Sequence, residues 1–327
     1  MARYILHRLL ILLPVLILVS VFCFSLLHLI PGDPIDFMFS DEDLDDAETR
    51  QMLEKALGLD MPLWKQYFVW VGNAMLGDFG QSIHFERPNA ELIFERFPAT
   101  LLLTVAAMIV SFLIAIPAGV IAAIKRNTPT DHAAMTFALF GISIPNFWFG
   151  ILLIMAFSIY FPILPSSGYE ASITDPIETL KFVALPAITL GTAVAAILAR
   201  MTRSEMLEEI GKEYVRTARA KGVSERMVIF KHTLKNAMVP ILTLLGLQFA
   251  NLLGGTVIVE TVFQWPGVGS LVIDAVYGRD YPLVQALILI FAVIFVVVNF
   301  FVDVLYKWAN LQIQGIYDYQ DYQNVFS

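Results

Sequence analysis

Six long apolar runs constrain the fold of this chain more than any other feature. A membrane-spanning helix needs about 20 consecutive, mostly apolar residues, and each run is of about that length. Charged residues make up only 15% of the sequence, whereas a soluble domain has about 25%. The predicted spans are residues 9–30, 100–124, 133–161, 182–199, 237–259 and 283–306. The sequence therefore predicts an all-α polytopic membrane protein with six transmembrane helices.

The Lys and Arg residues are distributed unevenly between the two sides of these spans. Fourteen of the 21 lie before the first span, in the loops 125–132 and 200–236, or at Lys307. Basic loops stay on the cytoplasmic side, so we expect both termini in the cytoplasm and segment 31–99 outside. That segment contains the acidic run 41–48, which is interpreted as a solvated surface or a docking site for a basic partner. The net charge of −8 disfavours a nucleic-acid partner.

The spans divide the chain into four segments. They are residues 1–30, the cytoplasmic N-terminus and first span; 31–99, an external segment; 100–306, a core domain with spans two to six and the loop 200–236; and 307–327, a cytoplasmic tail. No small-x-small cleavage site follows the first span, which is therefore expected to be uncleaved. Cys23 is the single cysteine, and we expect it to be buried and inert.

The external segment 31–99 is predicted to contain amphipathic helices. Asp60 can cap a helix that has Pro62 in its first turn and ends at Gly77. Its apolar residues recur at helical spacing: Leu63, Trp64, Tyr67, Phe68, Trp70, Val71, Ala74 and Met75. Such a helix lies along the membrane surface or packs on the bundle. A second short helix is expected at 88–96, before Pro98.

The basic loop 200–236 is predicted to form two helices joined at Gly222. Glycine suits the left-handed conformation that ends a helix, and Ser224 can cap the helix that follows. Small residues flank the joint and would let this segment enter a cleft of another protein, where its basic residues can pair with acidic groups. Two other interpretations are a basic cytoplasmic loop without a partner and a DNA-reading helix-turn-helix, which the two membrane attachments disfavour.

The sequence contains no complete motif for chemistry of its own. The nucleotide-binding pattern G-x-x-x-x-G-K-[ST] is absent, as are H-E-x-x-H and G-x-S-x-G, although 141–145 half resembles the last. The five histidines share no metal-ligand spacing, so no metal site is predicted. The span interiors are uncharged, which disfavours a proton-driven carrier. A self-sufficient secondary carrier or channel remains the alternative to a pore moved by an external motor, and an intramembrane enzyme is a remote third.

Several motifs resemble, in order, those of bacterial ABC-importer permeases. Segment 216–222 (RTARAKG), with Pro240 eighteen residues after its glycine, is similar to their EAA loop, although Thr217-Ala218 replaces the strict triplet. Four further motifs agree with the peptide/nickel subfamily, the B-type subunits of dipeptide and oligopeptide permeases: 30–34 (IPGDP), 200–204 (RMTRS), 263–269 (FQWPGVG) and 279–282 (RDYP). The resemblance covers residues 3–312; the Tyr-rich acidic tail 316–327 departs from it.

The resemblance implies a type I ABC-importer permease fold and a pore-forming subunit of an ATP-driven, binding-protein-dependent importer in the bacterial inner membrane. It implies as partners a second permease subunit, two ABC ATPase subunits that bind ATP and Mg, an external or periplasmic solute-binding protein, and membrane lipid. This chain would hold no cofactor. The subfamily carries di- and oligopeptides, nickel, glutathione and some saccharides, and di- or oligopeptides are the favoured cargo.

The resemblance also implies residues that couple the pore to the ATPases. They are Arg216, Thr217, Ala218, Arg219, Ala220, Lys221, Gly222 and Glu225. An external loop is expected to cap the pore through Trp265, Pro266, Gly267 and Gly269. Uncharged polar residues within the spans are candidates for lining the pore or for interhelical hydrogen bonds: Ser143, Asn146, Thr189, Thr192, Gln248 and Asn251. Pro145 and Pro186 are expected to kink their helices toward the pore axis.

Overall fold

The computed structural model describes residues 2–29, 60–170 and 175–325, and within these ranges the chain is helical with short turns. The acidic run 41–48 and the motif 30–34 lie outside the described residues. The helices are α1 (Ala2–Leu29), α2 (Leu63–Met75), α3 (Asn89–Ile124), α4 (Pro129–Ser143), α5 (Asn146–Tyr160, π-helical from Met155), α6 (Pro176–Ile210), α7 (Glu213–Ala220), α8 (Glu225–Gly255), α9 (Val257–Val262), α10 (Val268–Tyr277) and α11 (Tyr281–Val325).

Five helices are long and apolar enough to cross a membrane, namely α1, α3, α6, α8 and α11. Helices α4 and α5 meet at a bend of 100° and, counted as one span, bring the total to six. The prediction of one helix over 133–161 is therefore wrong, while the predicted kink at Pro145 is confirmed. A proline disfavours helical backbone at the residue before it, and Ile144 is accordingly extended, with ψ 125°.

Proline does not end helix α3 or helix α6. The short helix expected at 88–96 is instead the first part of α3, which continues through Pro98. A proline costs a helix one backbone hydrogen bond. The neighbouring Ile93 and Ala99 are buried, and this packing holds the helix together on both sides of Pro98. Pro186 likewise lies buried inside the continuous helix α6.

The basic segment after α6 has one more break than the sequence predicts. Helix α6 ends at Gly211 and α7 begins at Glu213, with Lys212 extended at ψ 150°. Glycine has a low helix propensity, which explains the break. The predicted reversal at Gly222 is confirmed, because its φ is 76°. Ser224 precedes α8 as expected, but its side chain forms no capping hydrogen bond.

Helices α3 and α6 form the most extensive helix–helix contact of the described residues. Two glycines let them approach closely. A Cβ on Gly119 would lie 2.5 Å from Thr202 Cβ, and one on Gly191 would lie 2.7 Å from the Ala107 carbonyl oxygen. Small residues allow spanning helices to pack at short distance. Because residue numbers increase together in these contacts, α3 and α6 run parallel, toward the end of the bundle that holds 125–128 and 211–224 (the basic end).

Helix α2 packs against the first span. The hydroxyl groups of Tyr67 and Ser20 are 2.8 Å apart, and the Tyr67 ring contacts Phe24 edge to face. Trp64 and Phe68 are exposed on another side of α2. The expected helix is therefore confirmed as one that packs on the bundle, and its contact with the membrane surface stays a prediction. The expected cap at Asp60 is wrong, because Pro62 occupies the cap position.

We expect Gly119→Ala to destabilise the protein by about 1–3 kcal/mol, the usual cost of an added group in a packed core. The new methyl group would meet Thr202 and the Ala199 carbonyl oxygen of α6. Thermal unfolding of the purified protein in detergent measures the effect. Gly72→Ala is the matched control, since a Cβ on Gly72 has no neighbour within 4 Å. Equal unfolding temperatures for the two variants would contradict this account of the α3–α6 contact.

Candidate functional site

The predicted coupling segment is attached to the bundle through its first residues. Val215, in the first turn of α7, is fully buried. The Tyr214 hydroxyl donates a hydrogen bond to Glu209 near the end of α6, and Lys212 pairs with the same carboxylate. Tyr214 also lies 3.4 Å from the His232 carbonyl oxygen of α8. These contacts tie α7 to both neighbouring spans.

The residues predicted to couple lie on the outward side of this attachment. Arg219 forms two hydrogen bonds with Glu225, at 3.1 and 2.6 Å, which close the turn around Gly222. The hydrogen bond with Glu225 raises the pKa of Arg219 above its ordinary value. Ala218 is half-buried, and the other members of the set are exposed: Arg216, Thr217, Arg219, Ala220, Lys221, Gly222 and Glu225.

Exposed apolar side chains continue this surface onto α8. Met227 is 48% exposed and Phe230 is 55% exposed, although both follow the charged turn directly. Arginine, methionine and phenylalanine are enriched at protein–protein interfaces, so Arg216, Met227 and Phe230 favour a docking role for this surface. The sequence motif identified the charged part, but Met227 and Phe230 were missed because they occur among the residues leading into a span.

The bend between α4 and α5 encloses a cavity of about 170 Å³ against α6. Three of the six candidate pore residues line it, namely Asn146, Thr189 and Thr192. The Thr189 and Thr192 hydroxyls donate to carbonyl oxygens one turn earlier in α6, at 2.8 and 2.7 Å. The structure assigns no hydrogen bond to the Asn146 amide among the described residues. The cavity therefore offers an amide and hydroxyl oxygens in an otherwise apolar wall.

The other three candidates do not line this cavity. Ser143 donates to the Leu139 carbonyl oxygen of its own helix at 2.9 Å. Gln248 is half-buried and Asn251 is exposed on α8, three residues apart. Their assignment to a pore stays a prediction. Their position on an otherwise apolar span is unfavourable against lipid, so water or another polypeptide is the better surrounding.

At the opposite end of the bundle, a buried carboxylate organises the loop after α8. Glu260 has no exposed surface. It accepts hydrogen bonds from the Thr100 hydroxyl at 2.8 Å, the Thr256 hydroxyl at 2.7 Å and the Ser270 backbone N–H at 2.8 Å. Burial raises the pKa of Glu260, and the hydrogen bonds from the two threonines oppose that rise. Glu260 thereby joins α9 and α10 to the first turns of α3.

Trp265 is fully buried beneath this loop and does not lie on its surface. Its indole N–H donates to the Ala99 carbonyl oxygen at 2.9 Å, and its ring meets Tyr169 edge to face at 4.7 Å. Pro266 is half-buried beside it. Gly267 has no space for a Cβ, which would lie 2.3 Å from the Glu260 carboxylate.

Gly269 is equally confined, because its Cβ would meet the backbone of Val257 at 2.8 Å. Gly267 and Gly269 thus lie directly against Glu260, which the sequence showed only as a charge at the end of a span. The sequence signal for this arrangement is the pair Gly267 and Gly269, which follow Glu260 within nine residues. Their lack of a side chain lets the backbone approach the Glu260 carboxylate.

Comparison with known families decides what kind of protein has this arrangement. Residues 115–314 match the family "Binding-protein-dependent transport system inner membrane component", and residues 1–104 match the N-terminal family of the same membrane components. The chain belongs to this family. It is accordingly a multi-pass membrane component of an ABC importer and not an enzyme, a secondary carrier or a channel.

Individual relatives agree with the family assignment. The chain is 45% identical to the glutathione transport system permease protein GsiC of Escherichia coli (strain K12), over 95% of this chain and 98% of that protein. The protein of the same name from Shigella flexneri serotype 5b is 44% identical over the same shares. These identities place the chain among the peptide/nickel-type importer permeases, as its motifs indicated.

Two solved structures share the fold. One is the MetNI methionine ABC transporter in inward-facing conformations, with a TM-score of 0.56, 19% identity, and coverage of 67% of this chain and 96% of that chain. The other is an amino acid ABC transporter, with a TM-score of 0.52, 16% identity, and coverage of 66% and 94%. The predicted type I ABC-importer permease fold is confirmed.

We expect Glu260→Ala to lower the unfolding temperature of the purified protein. Each buried donor left without an acceptor costs about 1–3 kcal/mol, and the Ser270 N–H cannot rotate toward another partner. Glu91→Ala is the control, because the Glu91 side chain is 57% exposed. If both variants unfold at the parental temperature, Glu260 does not hold the loop in place.

Proposed function

We propose that this chain imports short peptides, glutathione-like tripeptides among them, as the pore-forming subunit of its ABC importer. The observation that carries the proposal is 45% identity to a glutathione transport permease over almost the full length of both chains. Glutathione is itself a modified tripeptide. The candidate pore residues offer amides and hydroxyls, which hydrogen-bond the backbone groups that all peptides share.

The proposed orientation places both termini and α7 in the cytoplasm. The excess of Lys and Arg in the segments at the basic end supports it. In this orientation the exposed coupling residues face the compartment that contains ATP. The Glu260 loop, with Trp265 beneath it, then lies on the external side, where a solute-binding protein delivers the cargo.

The proposed complex contains a second permease subunit, two ATPase subunits and a solute-binding protein. The ATPases would bind ATP and Mg, since this chain has no nucleotide-binding motif. A second permease facing α8 would enclose Asn251, Gln248 and the cavity at the bend in one water-filled path. That arrangement supplies the polar surroundings that the two amides require.

The proposed coupling begins when α7 seats in a groove of one ATPase. Arg216 and Lys221 can pair with acidic groups there, while Met227 and Phe230 bury apolar surface. Movement of the ATPases then reaches α6 through Lys212, Tyr214 and their shared partner Glu209. Helix α6 forms one wall of the cavity, so the nucleotide cycle can change the width of the path.

We expect Gly222→Leu to abolish transport and to uncouple the stimulation of ATPase activity, with normal membrane insertion. Left-handed backbone costs a residue with a Cβ about 1–2 kcal/mol, so the turn would change shape. Gly222→Asn is the matched variant, because Asn tolerates this conformation, and it should keep more activity. Transport and ATP hydrolysis are measured in liposomes containing the whole complex. Parental transport by Gly222→Leu would contradict the assigned turn.

We also expect a strain that lacks this chain to lose uptake of radiolabelled glutathione and dipeptides, and to regain it with the intact gene. Uptake of nickel and of a disaccharide, measured in the same strain, serves as the comparison. Loss of either of these with parental peptide uptake would refute the proposed cargo and leave the family assignment intact.

A further inference from the structure

A buried carboxylate begins α4, the first half of the bent span. Asp131 is 1% exposed in the first turn of this helix. One carboxylate oxygen accepts a hydrogen bond from the Asn127 backbone N–H at 2.9 Å. Asn127 has a φ of 61°, a conformation that asparagine tolerates and that directs the chain into α4. Asp131 thus fixes the start of the helix at the basic end.

The partner of this carboxylate lies on α6. Arg203 donates from Nε to one oxygen of Asp131 at 2.6 Å and from Nη2 to the other at 2.7 Å. Two parallel hydrogen bonds of this kind fix the relative orientation of the two side chains. Among the described residues, this is the side-chain hydrogen-bonded pair that joins α4 to α6.

The pair lies between the cavity and the coupling segment. Along α6, Arg203 follows Thr192 by eleven residues, about 16 Å at 1.5 Å per residue, and precedes Ile210 by seven. Helix α4 runs from Asp131 to the bend, where Gly141 and Ile144 line the cavity. The two helices that form opposite walls of the cavity are therefore fastened to each other at their basic ends.

The rest of the packing differs sharply between these two helices. Thr202, the neighbour of Arg203, lies so close to Gly119 of α3 that a Cβ there would be 2.5 Å from the Thr202 Cβ. Helix α4 has only Asp131 and Ala138 buried. Helix α4 also meets α6 at Gly141, where a Cβ would lie 3.1 Å from the Ala196 Cβ. Hydrophobic contacts are non-directional, so the Asp131–Arg203 pair supplies the directional link between the two helices.

We propose that the Asp131–Arg203 pair makes α4 follow α6 when the coupling segment moves, and so sets the width of the cavity. Both are positioning residues, and the inference rests on the proposed coupling through α7. An ion pair with a buried carboxylate is weak evidence for stability, because desolvation of the carboxylate offsets much of the attraction between the charges. The pair instead contributes a fixed relative orientation of α4 and α6.

The test uses the full chain in its complex, reconstituted in liposomes, and measures peptide transported per ATP hydrolysed. Asp131→Asn should lower this ratio about tenfold, because a neutral amide cannot accept both guanidinium hydrogen bonds. Arg203→Lys keeps the charge without the fork and should fall between. The exchanged pair Asp131→Arg with Arg203→Asp should recover part of the ratio. Glu178→Gln is the control, since it breaks an exposed pair with Lys181 near the other end of α6.

A second measurement separates positioning from stability. With Cys23, the single cysteine, replaced by alanine, a cysteine is introduced at Ala193 in the cavity wall. Its labelling rate with a water-soluble maleimide is compared with and without ATP. In the parental background the rate should change with ATP, and in Asp131→Asn the change should be lost, because α4 no longer follows α6.

Two results would overturn the inference. One is a parental transport ratio with parental ATP-dependent labelling in Asp131→Asn. The other is a reduced amount of folded Asp131→Asn and Arg203→Lys in which the remaining molecules transport normally, since the pair would then serve only the fold. Failure of the proposed function is distinguishable, because the parental complex itself would then show no ATP-dependent peptide uptake.

Discussion

The close parallel contact of α3 with α6 is the constraint on which the rest of the structure depends. At Gly119 and Gly191 the two helices lie so near each other that an added Cβ would come within 2.5 Å of Thr202 and 2.7 Å of the Ala107 carbonyl oxygen, respectively. Each surrounding element is then attached to one end of this pair. Thr100 at the start of α3 holds the Glu260 loop, and Glu209 near the end of α6 holds the coupling segment. The α3–α6 contact thus positions both the Glu260 loop and the predicted coupling segment.

Most of the fold could be predicted because spans and turns are encoded locally. Five apolar runs correspond to single helices, and Gly222 adopts the left-handed conformation that its position indicated. Proline was the less reliable signal. Pro145 marks a bend of 100°, whereas Pro98 and Pro186 lie within continuous helices with buried neighbours. A proline in the sequence therefore does not show by itself whether a helix ends there.

The candidate site could be predicted only where its residues share a local motif. The coupling residues lie together on α7 and its turn, and Asn146 joins Thr189 and Thr192 because a bend faces a neighbouring helix. Buried charges were missed. Asp131 and Arg203 are 72 residues apart in the sequence. The general excess of Lys and Arg in the loop 200–236 was already sufficient to explain the presence of Arg203, so no specific partner was predicted for it. Glu260 was similarly hidden at the end of a span. A pattern in one chain does not show which distant group satisfies a buried charge.

The two buried carboxylates, Asp131 and Glu260, provide directional contacts at the two ends of an otherwise apolar bundle. Apolar helix contacts hold helices together but tolerate small shifts, because dispersion attraction has little directional preference. A carboxylate removed from water must keep its donors, so its neighbours are forced to move with it. Asp131 imposes this condition at the basic end and Glu260 at the opposite end, while the cavity between them has uncharged polar groups that make no such demand. In the proposed mechanism, the attachments at both ends would keep the loops in place while the cavity between them changes width.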